Sequence, residues 1–226
     1  MKTKEEIFSG VKFSGIPVLI VNFLFLAAIV VLFVWTVNAG LSNAVTTVIV
    51  ISDVVLFIVN LIFWGGFMQI EPNEARVMIF FGEYEGTVKE NGFFWVNPFY
   101  TKKKLTLRAR NLDAEPIKVN DKKGNPVSIG LVVVWRVADT YKASFDVDNA
   151  SMTVSVAGSP SVDNVGQKMK AYENFVKIQA DAALRFVAGM YAYDHTGTDD
   201  LSELTLRSGG EEVNSILETH INERLS

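Results

Sequence analysis

Two uncharged apolar runs near the N-terminus limit what this chain can become. PVLIVNFLFLAAIVVLFVWTV, residues 17–37, carries no charge over 21 residues. At ~1.5 Å rise per residue it reaches ~31 Å, the thickness of a hydrocarbon core. NAGLSN follows, with Gly40 and two asparagines as turn chemistry. AVTTVIVISDVVLFIVNLIFWGGFM, residues 44–68, is long enough for a second span. A cleaved signal peptide does not fit the first run, which is too long and has no small-residue cleavage site before a polar start. One span plus a buried or re-entrant segment is the alternative to two. Trp35 and Trp64 fall near span ends, at interface-belt positions.

Two spans return the chain to the side it started from. The N-terminal flank holds Lys2, Lys4 and Lys12, whereas the connector has no Lys or Arg. The positive-inside rule then places residues 1–16 and everything after residue 68 in the cytoplasm. Asp53 lies in the body of the second run, with Asn60 on the same helical face. An ionisable group at that depth costs roughly 2.5–3.5 kcal/mol on insertion scales, so it should face protein rather than lipid. It reads either as hydrogen-bond glue, to Asn22 or to a neighbouring subunit, or as one member of an ion or proton path.

From Gln69 the periodicity becomes strand-like. EARVMIFF, YEGTVK and KLTLRARNL read as strands, the last alternating Leu105, Leu107 and Ala109 with polar residues. PVSIGLVVVWRVAD lines Val127, Ile129, Leu131, Val133, Trp135 and Val137 on one face, and NDKKGNP before it signals a hairpin turn. Residues 70–138 should therefore form a twisted, mainly antiparallel sheet. Residues 165–190 then place Met169, Tyr172, Val176, Ala180, Ala183 and Val187 on a helical stripe, with Asp163 as a cap. Asp199-Asp200 could open a short helix, LSELTLR. Ser208 could cap a last helix from Gly210 or Glu211 bearing Val213, Ile216, Leu217, Ile221 and Leu225. That helix carries no stop signal, so the chain is expected to end mid-element, and residues 150–164 read as an exposed loop or insertion. The fold class is α+β behind a two-helix anchor.

The chemistry expected is sparse. With no cysteine, disulfides, zinc-thiolate sites and thiol catalysis are excluded. His195 and His220 are isolated, and no phosphate-loop, dinucleotide, nucleophile-elbow or HExxH pattern occurs. No enzyme activity, cofactor or metal is expected. A net charge of −4, with no basic run beyond Lys102-Lys103-Lys104, gives no attraction for nucleic acid.

The order of these pieces resembles the SPFH superfamily, also called band 7: stomatins, prohibitins, flotillins and the bacterial HflK/HflC-type proteins. QIEPNEARVMIFFGEYEGTVKENGFFWVNPF is similar to the family opening, where an anchor leads into a strand, an FG turn and a Gly-aromatic-Pro-Phe element, here Gly92 to Phe99. LRARNLDAEPIKVNDKKGNPVSIGLVVVWRVAD resembles its central hairpin, and YENFVKIQADAALRFVAG its alanine-rich helix with Ala183-Leu184-Arg185. Two full spans, the 150–164 insertion and the lack of a following coiled coil depart from the common pattern. The resemblance implies a domain over 69–226, with a sheet part to 138 and a helix-rich part from 139, truncated before a coiled coil. It also implies a non-enzymatic scaffold of membrane microdomains. Such a scaffold assembles as a large homo-oligomeric ring or cage, with membrane lipids and a membrane protease or channel as partners. The setting expected is the bacterial inner (plasma) membrane. A transport or channel subunit using Asp53 is the competing function.

NGFFWVNPFY, residues 91–100, concentrates aromatics just after the anchor. Strand alternation puts Phe93 and Trp95 on one face and Phe94 and Val96 on the other. One face can be core. The other could reach headgroups together with Phe99, Tyr100, Lys102, Lys103 and Lys104, or both faces could be internal.

Overall fold

The structure is a computed structural model, and it describes residues 4–40, 42–146, 165–194 and 204–225. Two compact units divide the chain: Met1–Arg108 with Val137–Asp146, and Ala109–Arg136 with Val147–Ser226.

The first unit begins with the anchor. Helix α1 (Gly15–Asn38) and helix α2 (Asn43–Trp64) are both long and apolar enough to cross a membrane. Pro17 sits in the first turn of α1, where its missing N–H is tolerated. The buried residues of α1 are Gly15, which lies under the Phe93 ring, and then Asn22, Ile29 and Thr36 at seven-residue spacing, while α2 buries Asp53 and Asn60, spaced likewise. A strict seven-residue repeat keeps one seam facing its partner and favours a left-handed pair. Almost every other large apolar side chain of the two helices is exposed, as a lipid-facing surface requires.

Helix α2 ends at Trp64 and does not run on to Met68, which corrects the expectation from the apolar run. Gly65 and Gly66 interrupt it, and Phe67–Ile70 form strand β2. Three strands then make the first sheet. Strand β1 (Lys12–Ser14) leads directly into α1, strand β2 follows α2, and strand β5 (Gly92–Val96) lies between them, antiparallel to both. Phe13, Trp95 and Phe67 stand in one cross-strand row, and Ser14, Phe94 and Met68 in the next. A second antiparallel sheet, in the order β4-β3-β6, uses β3 (Glu74–Phe80), β4 (Glu83–Val88) and β6 (Tyr100–Thr106). Phe8, Met68, Ile70, Met78, Val88 and Val96 form a buried core, against which Phe94 and Tyr100 pack. On another face Val77, Ile79 and Tyr84 pack with Tyr141 of helix α3 (Thr140–Phe145). Asp139 caps α3, accepting from the amides of Tyr141 and Lys142.

Residues 1–16 read in sequence as a flanking segment, but their described part is built into this unit. The Phe8 amide donates to Thr87 O at 3.1 Å and the Thr87 amide to Glu6 O at 2.8 Å. Thr87 Oγ1 lies 2.7 Å from Thr140 Oγ1, which in turn donates to Glu5 Oε1 at 3.0 Å. Gly86 lies beside this contact with φ +135°, and a Cβ there would fall 2.6 Å from Phe8 Cα.

The second unit is a hairpin packed on helices. Strands β7 (Arg110–Asn120) and β8 (Pro126–Trp135) pair antiparallel with an irregularity between Ala114 and Ile117. The continuous strand expected through residues 105–109 is broken, since β6 stops at Thr106 and β7 starts at Arg110. Among the described residues the single expected sheet is thus three separate antiparallel ones. Helix α4 (Val165–Met190) buries Met169, Tyr172, Val176, Ala180, Ala183 and Val187, the stripe read from sequence. Helix α5 (Gly210–Leu225) buries Leu217 and Ile221 in the same core. Ser208 does not cap α5. Its hydroxyl pairs with Thr205 Oγ1 at 2.7 Å, and Leu204–Arg207 form no helix. Asp163, the insertion at 150–164, His195 and Asp199-Asp200 lie outside the described residues.

Asp121 organises the turn between β7 and β8. Its carboxylate accepts from the amides of Lys123 (2.9 Å), Asn125 (2.7 Å) and Tyr193 (3.0 Å) and from Asn125 Nδ2 (3.1 Å). Burial alone would raise its pKa, but these donors prevail and hold it below the ordinary carboxylate value. A depressed folded-state pKa contributes stability that is complete above the unfolded value, ~3.9, and lost as pH falls through the folded one. Asp121→Ala should therefore strip amide-exchange protection from Lys123, Asn125 and Tyr193 at pH 6. The difference from the parent should shrink below about pH 4.

Candidate membrane-seating site

The end of α2 presents backbone carbonyls beyond the helical ladder, and strands β5 and β6 supply donors to this stretch. Trp95 Nε1 donates to Phe63 O at 2.9 Å, Lys102 Nζ to Gly65 O at 2.5 Å, and the Val96 amide to Gly66 O at 3.0 Å. Aromatic rings reinforce the seam. Phe63 stacks on Trp95 at 5.4 Å and Phe67 on Phe93 at 5.5 Å, while Trp64 lies between Phe23 (5.2 Å) and Phe67 (6.0 Å). A Cβ on Gly66 would fall 2.5 Å from Val96 O, so only glycine lets β5 approach this closely.

The candidate residues separate by face. Trp95 and Trp64 belong to the seam, and Trp35, 57% exposed, is at the far end of α1. Phe94 turns the other way, onto the core, with Lys12 Nζ 4.9 Å above its ring. Tyr100 packs on Phe8 at 5.4 Å and Phe80 at 5.1 Å, whereas Phe99 is 61% exposed. The loop holding Phe99 lies against the helix end, because a Cβ on Gly65 would meet Pro98 Cβ at 3.5 Å.

The three consecutive lysines do not make one patch. Lys102 reaches the α2 terminus; burial and then the neighbouring Arg76 charge pull its pKa below the ordinary lysine value. Lys103 lies over the Phe145 ring at 5.0 Å, and Lys104 pairs with the buried Glu74 at 2.5 Å. Burial works to raise Glu74, but Lys104 and the Glu71 amide outweigh it and keep its pKa low.

Sequence reasoning missed Phe81. It forms the tip of the β3–β4 hairpin, 83% exposed, at φ +46° and followed by Gly82 at φ +93°. Two positive φ angles make the tight turn that matches strand twist, and an aromatic residue there costs about 1 kcal/mol or more. The only signal in the sequence is a second Phe before the glycine of FFGE.

Within the anchor, Asn60 Nδ2 donates to Asn22 O at 3.4 Å. Asp53, 3% exposed, has no hydrogen-bond partner at either carboxylate oxygen, and the side-chain oxygens of Asn22 and Asn60 are likewise unpartnered. His220 Nδ1 is 3.2 Å from Glu223 Oε2, and its ring meets Phe186.

A pair of apolar helices stitched at one end to an antiparallel α+β module defines a membrane-anchored protein. The profile of the SPFH domain / Band 7 family matches residues 68–225. The chain belongs to that family, whose members are membrane-associated scaffolds and generally not enzymes. No curated protein matches the chain.

Proposed function

We propose that this chain is a membrane-anchored scaffold that assembles with copies of itself into a large ring or cage, encloses a lipid patch, and regulates a partner such as a membrane protease or channel. The observation supporting this reading is that both ends of the helical hairpin are tied to a single strand. Strand β5 pairs with β1, which enters α1, and with β2, which leaves α2. A domain held at two points cannot swing on a linker, and a fixed tilt against the bilayer is what lets neighbouring copies repeat one contact and close a ring. The three N-terminal lysines favour a cytoplasmic domain, and a bacterial inner membrane is the setting proposed. Trp35, Trp64, Trp95 and Phe99 are the proposed interfacial residues. Images of the detergent-solubilised full-length protein test the proposal: closed rings or cages support it, and uniformly monomeric particles contradict it.

A second reading, a transport or channel subunit, draws on the unpartnered Asp53 carboxylate. Asp53→Asn separates the two. A scaffold keeps its assembly and gains modest anchor stability, by ~1 kcal/mol, because an unpartnered carboxyl is replaced by an amide that can donate. A conductor loses ion or proton flux in proteoliposomes.

A further inference from the structure

Arg76 and Lys102 stand out from the other cations of the first unit. The β3–β6 register sets Arg76 opposite Lys104 and Met78 opposite Lys102, so both cations occupy one face as diagonal neighbours. Arg76 Nη2 donates to Gln69 O at 3.2 Å and Lys102 Nζ to Gly65 O at 2.5 Å. Both acceptors belong to the short stretch where the chain leaves α2 and enters β2. Among the described residues neither cation forms an ion pair with a carboxylate, although Glu74 lies near enough to Arg76 for the two charges to attract. The nearby acid, Glu74, is engaged by Lys104, and Glu71 by Arg108. Arg76 Nε is buried with no hydrogen-bond partner at all. The two charges repel each other, which adds to the burial that already lowers the Lys102 pKa. The α2 terminus offsets about half a unit of this positive charge. Glu74 offsets part of the Arg76 charge, and the rest stands where the chain leaves α2.

We infer that Arg76 and Lys102 form a binding site for the phosphate of an anionic lipid headgroup at the foot of α2. A guanidinium offers paired N–H donors to phosphate oxygens, and an ammonium adds a point charge. Both side chains keep donors free beyond the backbone bond each already makes. Lys103, on the opposite face of β6 over Phe145, takes no part. The site deepens the scaffold proposal, since it rests on the domain being seated on lipid. It gives the seat a preference for acidic lipid.

The test uses full-length protein, reconstituted in nanodiscs and, separately, titrated in detergent with phosphatidylglycerol, phosphatidylcholine or inorganic phosphate. Phosphatidylglycerol should bind and raise Tm. Arg76→Gln and Lys102→Gln should each weaken binding about fivefold, and the double variant about 25-fold. Lys103→Gln should match the parent, Arg76→Lys should recover part of the loss, and high salt should erase the difference between lipids. Equal binding of phosphatidylglycerol by the parent and the double variant overturns the site. So does a parent that binds phosphatidylcholine equally well. Inorganic phosphate that reproduces the whole Tm rise at comparable concentration overturns the headgroup assignment. Nanodisc insertion without lipid preference sinks this inference alone, whereas failure to insert into either lipid sinks the seating proposal with it.

Discussion

Gly66→Val should detach the strand module from its anchor. A Cβ at this position would lie 2.5 Å from Val96 O and would also collide with Trp95 Nε1. The first of these atoms is backbone of the central strand, so relief requires β5 to move. Movement breaks the Val96–Gly66 hydrogen bond and pulls Trp95 from Phe63 O. Overpacking of a tight site, with loss of two hydrogen bonds, costs ~3–5 kcal/mol. For a chain of this size that lowers Tm by roughly 6–20 °C. Thermal unfolding of the full-length protein in detergent measures it. Trypsin should also begin to cut at Lys102 and Lys103, which the intact seam and the Phe145 ring hold in place. An unchanged Tm would mean that the seam carries no stability.

Gly86→Val should release the N-terminal strap. The position has φ +135°, and an added Cβ would fall 2.7 Å from Phe8 N and 2.6 Å from Phe8 Cα. A β-branched residue there is strained by ~1–3 kcal/mol. Displacing the strap exposes Phe8, only 9% accessible in the fold, at a further ~1.5–3 kcal/mol. The expected loss is therefore ~2.5–6 kcal/mol, with tryptic cleavage at Lys4 and Lys12 appearing before global unfolding. Phe8→Ala separates the contributions. It should lose the packing but not the strain, leaving the strap bonded at Thr87 and cleaved more slowly than in the valine variant.

Sequence revealed most where one physical signal dominated. The anchor was visible because uncharged runs of that length have few other uses. Helices α4 and α5 were visible because Ala180, Ala183 and Val187, then Leu217 and Ile221, recur at helical spacing against polar faces. The seam of the anchor was largely hidden, because Ile29 looks like its neighbours in an apolar run; only Asp53, Asn60 and Asn22 stood out. The strap was hidden for the opposite reason. Phe8 is one buried apolar residue in a polar segment, and its place is fixed by Thr87, which is distant in sequence. Alternation correctly put Phe94 and Trp95 on opposite faces. Which face met the core depended on pairing with both β1 and β2, which no local pattern reveals. The lysine triplet shows the same limit, since its three partners come from three different segments.

The seat itself is open to direct measurement. The chain has no cysteine, so single cysteines can be placed and spin-labelled without background. Labels at Phe99, beside the α2 terminus, and at Asn73, in the turn after β2, should be compared in nanodiscs by accessibility to oxygen and to a water-soluble nickel complex. The account predicts an ordered label at headgroup depth for position 99 and a fully aqueous one for position 73. Equal water accessibility at both positions, with free motion at 99, would contradict a domain fixed on the bilayer by its own anchor.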